Sequence, residues 1–220
     1  MRASLLALAL FTAACAEAPE PADAPTETVV ATETLQTAPT PGAQAPTFEL
    51  VDTAGETHAL ADYRGQTVVL EWLNYDCPYV GKQYGGGAMQ ARQQQAETDG
   101  IVWLSVVSSA PGEQGHFEPA AMDARTASEG GQQAAVLLDP TGTVGRAYGA
   151  QTTPHMFVID AGGAVVYNGA IDDRPTSDLA DLDGARDYVA DALAALADGR
   201  PADPATTPPY GCSVKYAAGT

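Results

Sequence analysis

The heptapeptide Thr67-Val68-Val69-Leu70-Glu71-Trp72-Leu73 constrains this chain more than any other segment. Its apolar residues follow one another with almost no polar alternation and several are β-branched, the pattern of a strand covered on both faces. A run of this kind predicts the central strand of a layered sheet. Its charged residue, Glu71, is then either a carboxyl buried in the sheet or a residue on a partly solvated face.

The segments around this run alternate in type. Thr47–Val51 with the Ala54-Gly55 turn predicts a short strand and hairpin, followed by a bend at Tyr63-Arg64-Gly65. Residues 78–98 are helix-compatible, but Gly85-Gly86-Gly87 predicts a kink or loop within them. Ile101–Val107 and Ala135–Leu138 read as buried strands, with helices over 119–128 and 144–148. Such alternation favours parallel pairing in a covered sheet. Met156–Ile159 and Ala164–Tyr167, joined by Asp160-Ala161-Gly162-Gly163, read as an antiparallel hairpin. Tyr188, Val189, Ala192, Leu193 and Leu196 mark the apolar stripe of a closing helix that stops at Gly199 and Pro201. The expected class is α/β, with one domain over 46–198 and a C-terminal tail over 199–220.

The chain has 220 residues and 45% apolar composition, enough for one sizeable core. Its 28 acidic residues against 10 basic ones give a formal charge of -18. A field of that sign repels phosphate backbones and anionic lipid, so nucleic acid is not an expected partner. Met1–Ala14 reads as an export signal, with Arg2 ahead of an apolar stretch, Ala3–Phe11, too short to span a bilayer. Ala13-Ala14-Cys15 resembles the lipobox of bacterial lipoproteins, with Thr12 where that box usually has Leu. Lipidation of Cys15 would give membrane contact through an N-terminal lipid; ordinary cleavage at Ala14-Cys15-Ala16 is the alternative. Residues 1–15 are thus read as a signal segment. Residues 16–45 are read as an acidic Pro-, Ala- and Thr-rich linker, too poor in apolar residues to offset its ordering entropy. The expected location is the periplasmic side, with the domain anchored as a lipoprotein.

Cys77 and Cys212 are then the thiols of the mature fold, in an oxidising compartment where they can pair. Cys77 stands where the central strand gives way, through Asn74-Tyr75-Asp76, to Pro78 and a helix. A thiol at a helix start faces unpaired backbone N–H groups and the positive end of the dipole, and both favour the thiolate. Cys77 is therefore the candidate nucleophile. Lys82, one turn further on, is a candidate stabiliser of that thiolate, opposed by Asp76 at on the order of a few tenths of a kcal/mol each.

A strand hairpin, a strand, Cys77 at a helix start, alternating elements, Thr153-Pro154, a hairpin and a final helix follow in an order that resembles the thioredoxin superfamily. More narrowly, Trp72 with Asn74-Tyr75-Asp76-Cys77-Pro78-Tyr79-Val80, and Thr152-Thr153-Pro154-His155-Met156-Phe157-Val158-Ile159-Asp160, are similar to the bacterial peroxiredoxin-like redoxins of AhpC-TSA type. The tail Tyr210-Gly211-Cys212-Ser213-Val214-Lys215-Tyr216 is similar to that group as well. The resemblance implies a thioredoxin-like fold, a central mixed β-sheet flanked by helices, with an N-terminal strand extension and an insertion as in redoxins. It implies that Pro154 is cis and that the Thr153 backbone lies beside the thiol, where it can bond an incoming peptide or disulfide. Glu71, six residues before Cys77, matches the buried acid behind the thioredoxin site and is a candidate for proton exchange, although thioredoxins carry Asp there. His155 is a candidate base or substrate contact, with a packed, hydrogen-bonded histidine as the plainer reading. Val80 stands where thioredoxins carry their second cysteine, so another thiol must resolve an adduct on Cys77. Cys212 is the candidate resolving thiol, because residues 198–212 can span up to about 50 Å; a free or intermolecular thiol is the alternative.

Three functional classes follow: a thiol–disulfide oxidoreductase or antioxidant, a peroxide-reducing peroxiredoxin, and a noncatalytic redox or copper-binding module. Peroxiredoxins usually carry Pro-x-x-x-Thr-x-x-Cys, whereas the corresponding places here hold Leu70 and Asn74. Cys77, His155 and Met156 offer soft sulfur and imidazole suited to Cu(I), but Val80 and Gly81 supply no second sulfur. The expectation is an exported thiol redox protein that uses no cofactor and no metal. Its expected partners are protein disulfides or small oxidants and an external thiol reductant.

Overall fold

The computed structural model describes residues 38–218. The expected signal segment, Cys15 and residues 16–37 of the expected linker lie outside the described residues. Residues 38–45 of that linker belong to the domain: Gly42 N–H donates to Val165 O at 2.8 Å, Val165 N–H to Ala43 O at 2.9 Å, and the Asn168 amide to Pro39 O at 2.7 Å. The domain therefore starts upstream of the expected boundary at 46, because backbone groups bind this segment although its side chains are small.

Strands β1 (Glu49–Asp52) and β2 (Thr57–Ala59) form the N-terminal hairpin. Strand β3 (Val68–Trp72) follows and is buried at every position. Helices α1 (Pro78–Gly85) and α2 (Ala88–Thr98) replace a single long helix, breaking at Gly86 and at Gly87, whose φ of 74° suits glycine. Then come β4 (Val102–Val107), α3 (Pro119–Glu129), β5 (Ala135–Leu138) and α4 (Thr143–Ala147). The two-residue β6 (Thr152–Thr153) precedes β7 (His155–Ile159) and β8 (Val165–Gly169), and α5 (Tyr188–Ala197) closes the domain before β9 (Cys212–Ser213) in the tail.

The main sheet has the order β2-β1-β5-β4-β3-β7-β8. β3, β4 and β5 run parallel, whereas β7 pairs antiparallel with β3 and β8 antiparallel with β7, and β1 pairs antiparallel with β5. This mixed sheet with flanking helices is thioredoxin-like, as expected, with the β1–β2 hairpin as the N-terminal extension. β6 and β9 form a separate two-stranded ladder, Thr152 opposite Ser213 and Thr153 opposite Cys212.

Side-chain alternation along β3 divides the core. Val69, Leu73 and Cys77 join Val80, Tyr84, Met89, Trp103, Met156 and Val189 on the face covered by α1, α2 and α5. Val68, Leu70 and Trp72 join Leu104, Val144, Tyr148 and Phe157 on the other. There Trp72, Tyr148 and Phe157 meet pairwise with ring centroids 5.2 Å apart. Rings at this spacing contribute beyond the area they bury. Phe157→Ala should lower unfolding free energy by about 3–5 kcal/mol, read from urea denaturation, because its two aromatic neighbours, Trp72 and Tyr148, cannot collapse into the cavity.

Candidate active site

The turn after β3 is built by Asn74, whose carbonyl accepts from Cys77 N–H at 3.0 Å and whose side-chain oxygen accepts from Asp76 N–H at 2.9 Å. That turn delivers Cys77 as the N-cap of α1, with extended dihedrals of -82° and 123° and Pro78 in the first turn. Proline is pre-organised for this position, since its missing N–H would have no helical partner anyway. The loop after β4 closes over the turn: Asn74 Nδ2 donates to Gln114 O at 3.4 Å, and Gln114 Nε2 donates to Asp76 O at 3.2 Å.

The Cys77 thiol donates to Thr153 O at 3.0 Å and accepts from Cys212 N–H at 3.4 Å. The Thr153–Pro154 peptide is cis. Cys77 is 1% exposed, Cys212 is half-buried, and both are free thiols. Burial alone pushes the Cys77 thiol up; the Cys212 thiol, the Val80 N–H, the Thr153 hydroxyl and the Cys212 N–H outweigh it and hold the pKa below the usual thiol value. No capping hydrogen bond to the Cys77 side chain forms, so the helix start acts here through the field of its Val80 amide. Cys212 moves the opposite way: burial, then the hydrogen bond and the charge of Cys77, push it up to about 11. The two thiols thus divide into a more acidic one beneath and a less acidic one above.

Glu71 is fully buried on the Cys77 side of the sheet. Its carboxyl accepts from Trp103 Nε1 at 3.0 Å, Ser105 Oγ at 3.0 Å, the Tyr84 hydroxyl at 3.2 Å and Gln93 Nε2 at 3.4 Å. Burial raises its pKa and these donors partly offset it, leaving a value of about 7. None of the four donors is hydrogen-bonded to Cys77, so the carboxyl stands behind the site without a bonded relay to the sulfur.

Two candidates lie elsewhere than the sequence suggested. Lys82 does not point to the thiol: its buried ammonium pairs with Asp172 at 3.3 Å and donates to Arg174 O at 2.7 Å and the Tyr210 hydroxyl at 3.1 Å. Asp172 lies 90 positions downstream, and local spacing carries no signal of such a partner. His155 faces the other side of the sheet, packed on Phe157 with ring centroids 4.6 Å apart, since strand alternation puts Met156 and not His155 on the Cys77 side. Burial holds its pKa down at about 3, Nδ1 accepts from Gln151 N–H at 3.3 Å, and it neither meets the thiol nor forms a metal pair with it. The copper reading loses its imidazole on this ground.

The sequence also gave no sign that β9 would fill the edge of β6. The tail reaches that edge by a close backbone approach: Gly211 has φ 140°, and a Cβ there would collide with the Thr153 carbonyl. The Thr153 position expected to meet a substrate is therefore occupied by Cys212 of the same chain.

A model of the AhpC/TSA family matches residues 41–168. Comparison with curated proteins finds no match. Among solved structures, a hypothetical protein from Sinorhizobium meliloti 1021 is 25% identical with a TM-score of 0.67, over 83% of this chain and 98% of that one. An uncharacterized conserved protein from Geobacillus kaustophilus is 25% identical with a TM-score of 0.69, over 82% of this chain and 94% of that one.

Two measurements separate the roles of the buried charges. The native state keeps a proton on Glu71 that the unfolded chain releases above about pH 4.5, so this group stabilises the fold at low pH and its contribution is lost as pH rises through about 7. Stability by urea denaturation should therefore fall by on the order of 3 kcal/mol from this group between pH 4.5 and 8, and Glu71→Gln should flatten that slope. Lys82→Met should cost about 3–5 kcal/mol by leaving Asp172 unpaired, while the pH midpoint of Cys77 alkylation stays in place.

Proposed function

Because the chain belongs to the AhpC/TSA family, with a thioredoxin-like fold, we propose that it is a thiol redox protein in which Cys77 is the nucleophile and Cys212 resolves its adducts. The observation that carries this reading is the pairing of Thr153 with Cys212, which sets the Cys212 N–H 3.4 Å from the Cys77 sulfur. The Cys77 thiolate attacks a disulfide sulfur or a peroxide oxygen. The leaving thiolate or alkoxide takes up a proton, and the sulfur is left as a mixed disulfide or a sulfenic acid. Cys212 then attacks the Cys77 sulfur, releasing the bound thiol or water and closing a Cys77–Cys212 disulfide. An external dithiol reductant restores both thiols and is itself oxidised to a disulfide.

The division of acidity supports this order. The thiol with the lower pKa ionises more readily and is also the better leaving group when the disulfide is reduced. Leu70 and Asn74 in place of the peroxiredoxin Pro and Thr favour general thiol redox chemistry over a dedicated peroxidase. Met1–Cys15 supports export with lipidation at Cys15, which would place the domain on the periplasmic side of a membrane.

Cys77→Ser should abolish disulfide reductase and peroxidase turnover together; retention of both would remove the nucleophile from this reading. Cys212→Ser should leave the first oxidation intact and trap the Cys77 adduct, seen as a stable mass increase, whereas unchanged turnover would assign resolution to an external thiol.

A further inference from the structure

Strand β9 lies where an extended partner segment would have to lie in order to present a disulfide to Cys77. Among the described residues β6 has one ladder partner, and it is this piece of the same chain. Backbone pairing with a sheet edge is how extended peptides are commonly held, and the same edge cannot be paired twice.

The segment is fastened on both sides of Cys212. Upstream, the Tyr210 hydroxyl bonds Asp172 and accepts from Lys82, and its ring packs against Tyr79 with centroids 5.8 Å apart. Downstream, the Tyr216 hydroxyl donates to Ala150 O at 2.9 Å, and its ring lies under the Arg146 guanidinium at 4.5 Å. Between these anchors Val214 N–H donates to Gln151 O at 3.0 Å, and Ala110 N–H donates to Lys215 O at 2.8 Å. The last bond ties the tail to the loop after β4, the same loop that closes over Asn74 and Asp76, so both walls of the Cys77 site are joined across the sulfur.

We propose that residues 210–216 form a strap fixed in the position of a substrate strand, with Tyr210, Gly211 and Tyr216 as the residues that keep protein disulfides off Cys77 while admitting small reagents. A small molecule reaches the sulfur through a local shift of the two-residue ladder. A protein disulfide needs an extended segment seated along β6 and a sulfur in line with Cys77 Sγ, and that requires the strap to leave with its two tyrosine hydroxyl anchors. Tyr210 is half-buried, but its hydroxyl bonds a fully buried ion pair, so its departure would also uncover Lys82 and Asp172. Selection by size at this site thus comes from the chain's own tail. The inference rests on Cys77 being the reactive thiol.

The test compares reaction rates of reduced Cys77, followed by peptide mass, with iodoacetamide and with the disulfide form of insulin. The proteins are the full chain, Gly211→Ala, Tyr210→Phe/Tyr216→Phe, and a chain ending at Pro208. Unseating the strap should speed reaction with insulin by about tenfold or more and that with iodoacetamide by less than about threefold. Wild-type protein reacting with insulin as fast as the variants, or equal acceleration of both reagents, would overturn the proposal. Because alkylation needs only a reachable sulfur, the iodoacetamide rates and hydrogen exchange at 212–214 report on the strap even if the redox reading fails.

Discussion

Strand β3 is hydrogen-bonded along both edges, to β4 and to β7, and buried along its whole length. The rest of the site depends on that constraint. The end of β3 fixes where the Asn74 turn begins, hence where Cys77 caps α1. The pairing of Trp72 with His155 fixes where β7 begins, hence where Pro154 and Thr153 stand relative to the sulfur. A register shift of one residue between β3 and β7 would turn the faces of β7 over relative to β3 and carry Met156 away from the Cys77 side.

The site combines a thiol whose acidity is raised by donors with a cover that excludes water. These two demands conflict, because burial favours the neutral thiol. The tail helps resolve the conflict by covering the sulfur with polar groups: the Cys212 thiol and N–H lie on it and, together with the Val80 N–H and Thr153, outweigh its burial. The same segment therefore shields Cys77, favours its ionisation and carries the second sulfur. Glu71 contributes differently, as a carboxyl satisfied by four donors within the sheet and placed near neutrality by its burial.

Much of this was legible in the chain. Continuous β-branched runs named the buried strands, the triple glycine named the break between α1 and α2, and the position of Cys77 before Pro78 named a helix cap. Each is a local property, set by backbone sterics, hydrogen-bond valence or apolar periodicity within a few residues. The site roles offered for Lys82 and His155 came from the same local view; the one for Lys82 misled, whereas for His155 the plainer reading of a packed, hydrogen-bonded histidine is the one the structure shows. Lys82 lies one turn from Cys77 in sequence, yet its charge cannot be buried without a counter-charge, and Asp172 supplies it from a distant loop. His155 is next to Pro154, yet the two-residue period of a strand turns its ring to the opposite layer.

The sequence by itself determined the α/β class, the strand that anchors the sheet, the place of Cys77 at a helix start and the presence of a second thiol in the tail, because those follow from short-range pattern. Only the tertiary structure decided that the tail returns to pair with Thr153, that Tyr210 is held by Asp172 and Lys82, and that the segment just before residue 46 is bonded to the domain. These are contacts between residues far apart in the chain. They arise where buried polar groups and open sheet edges must find partners, and no spacing along the sequence specifies which partner that will be.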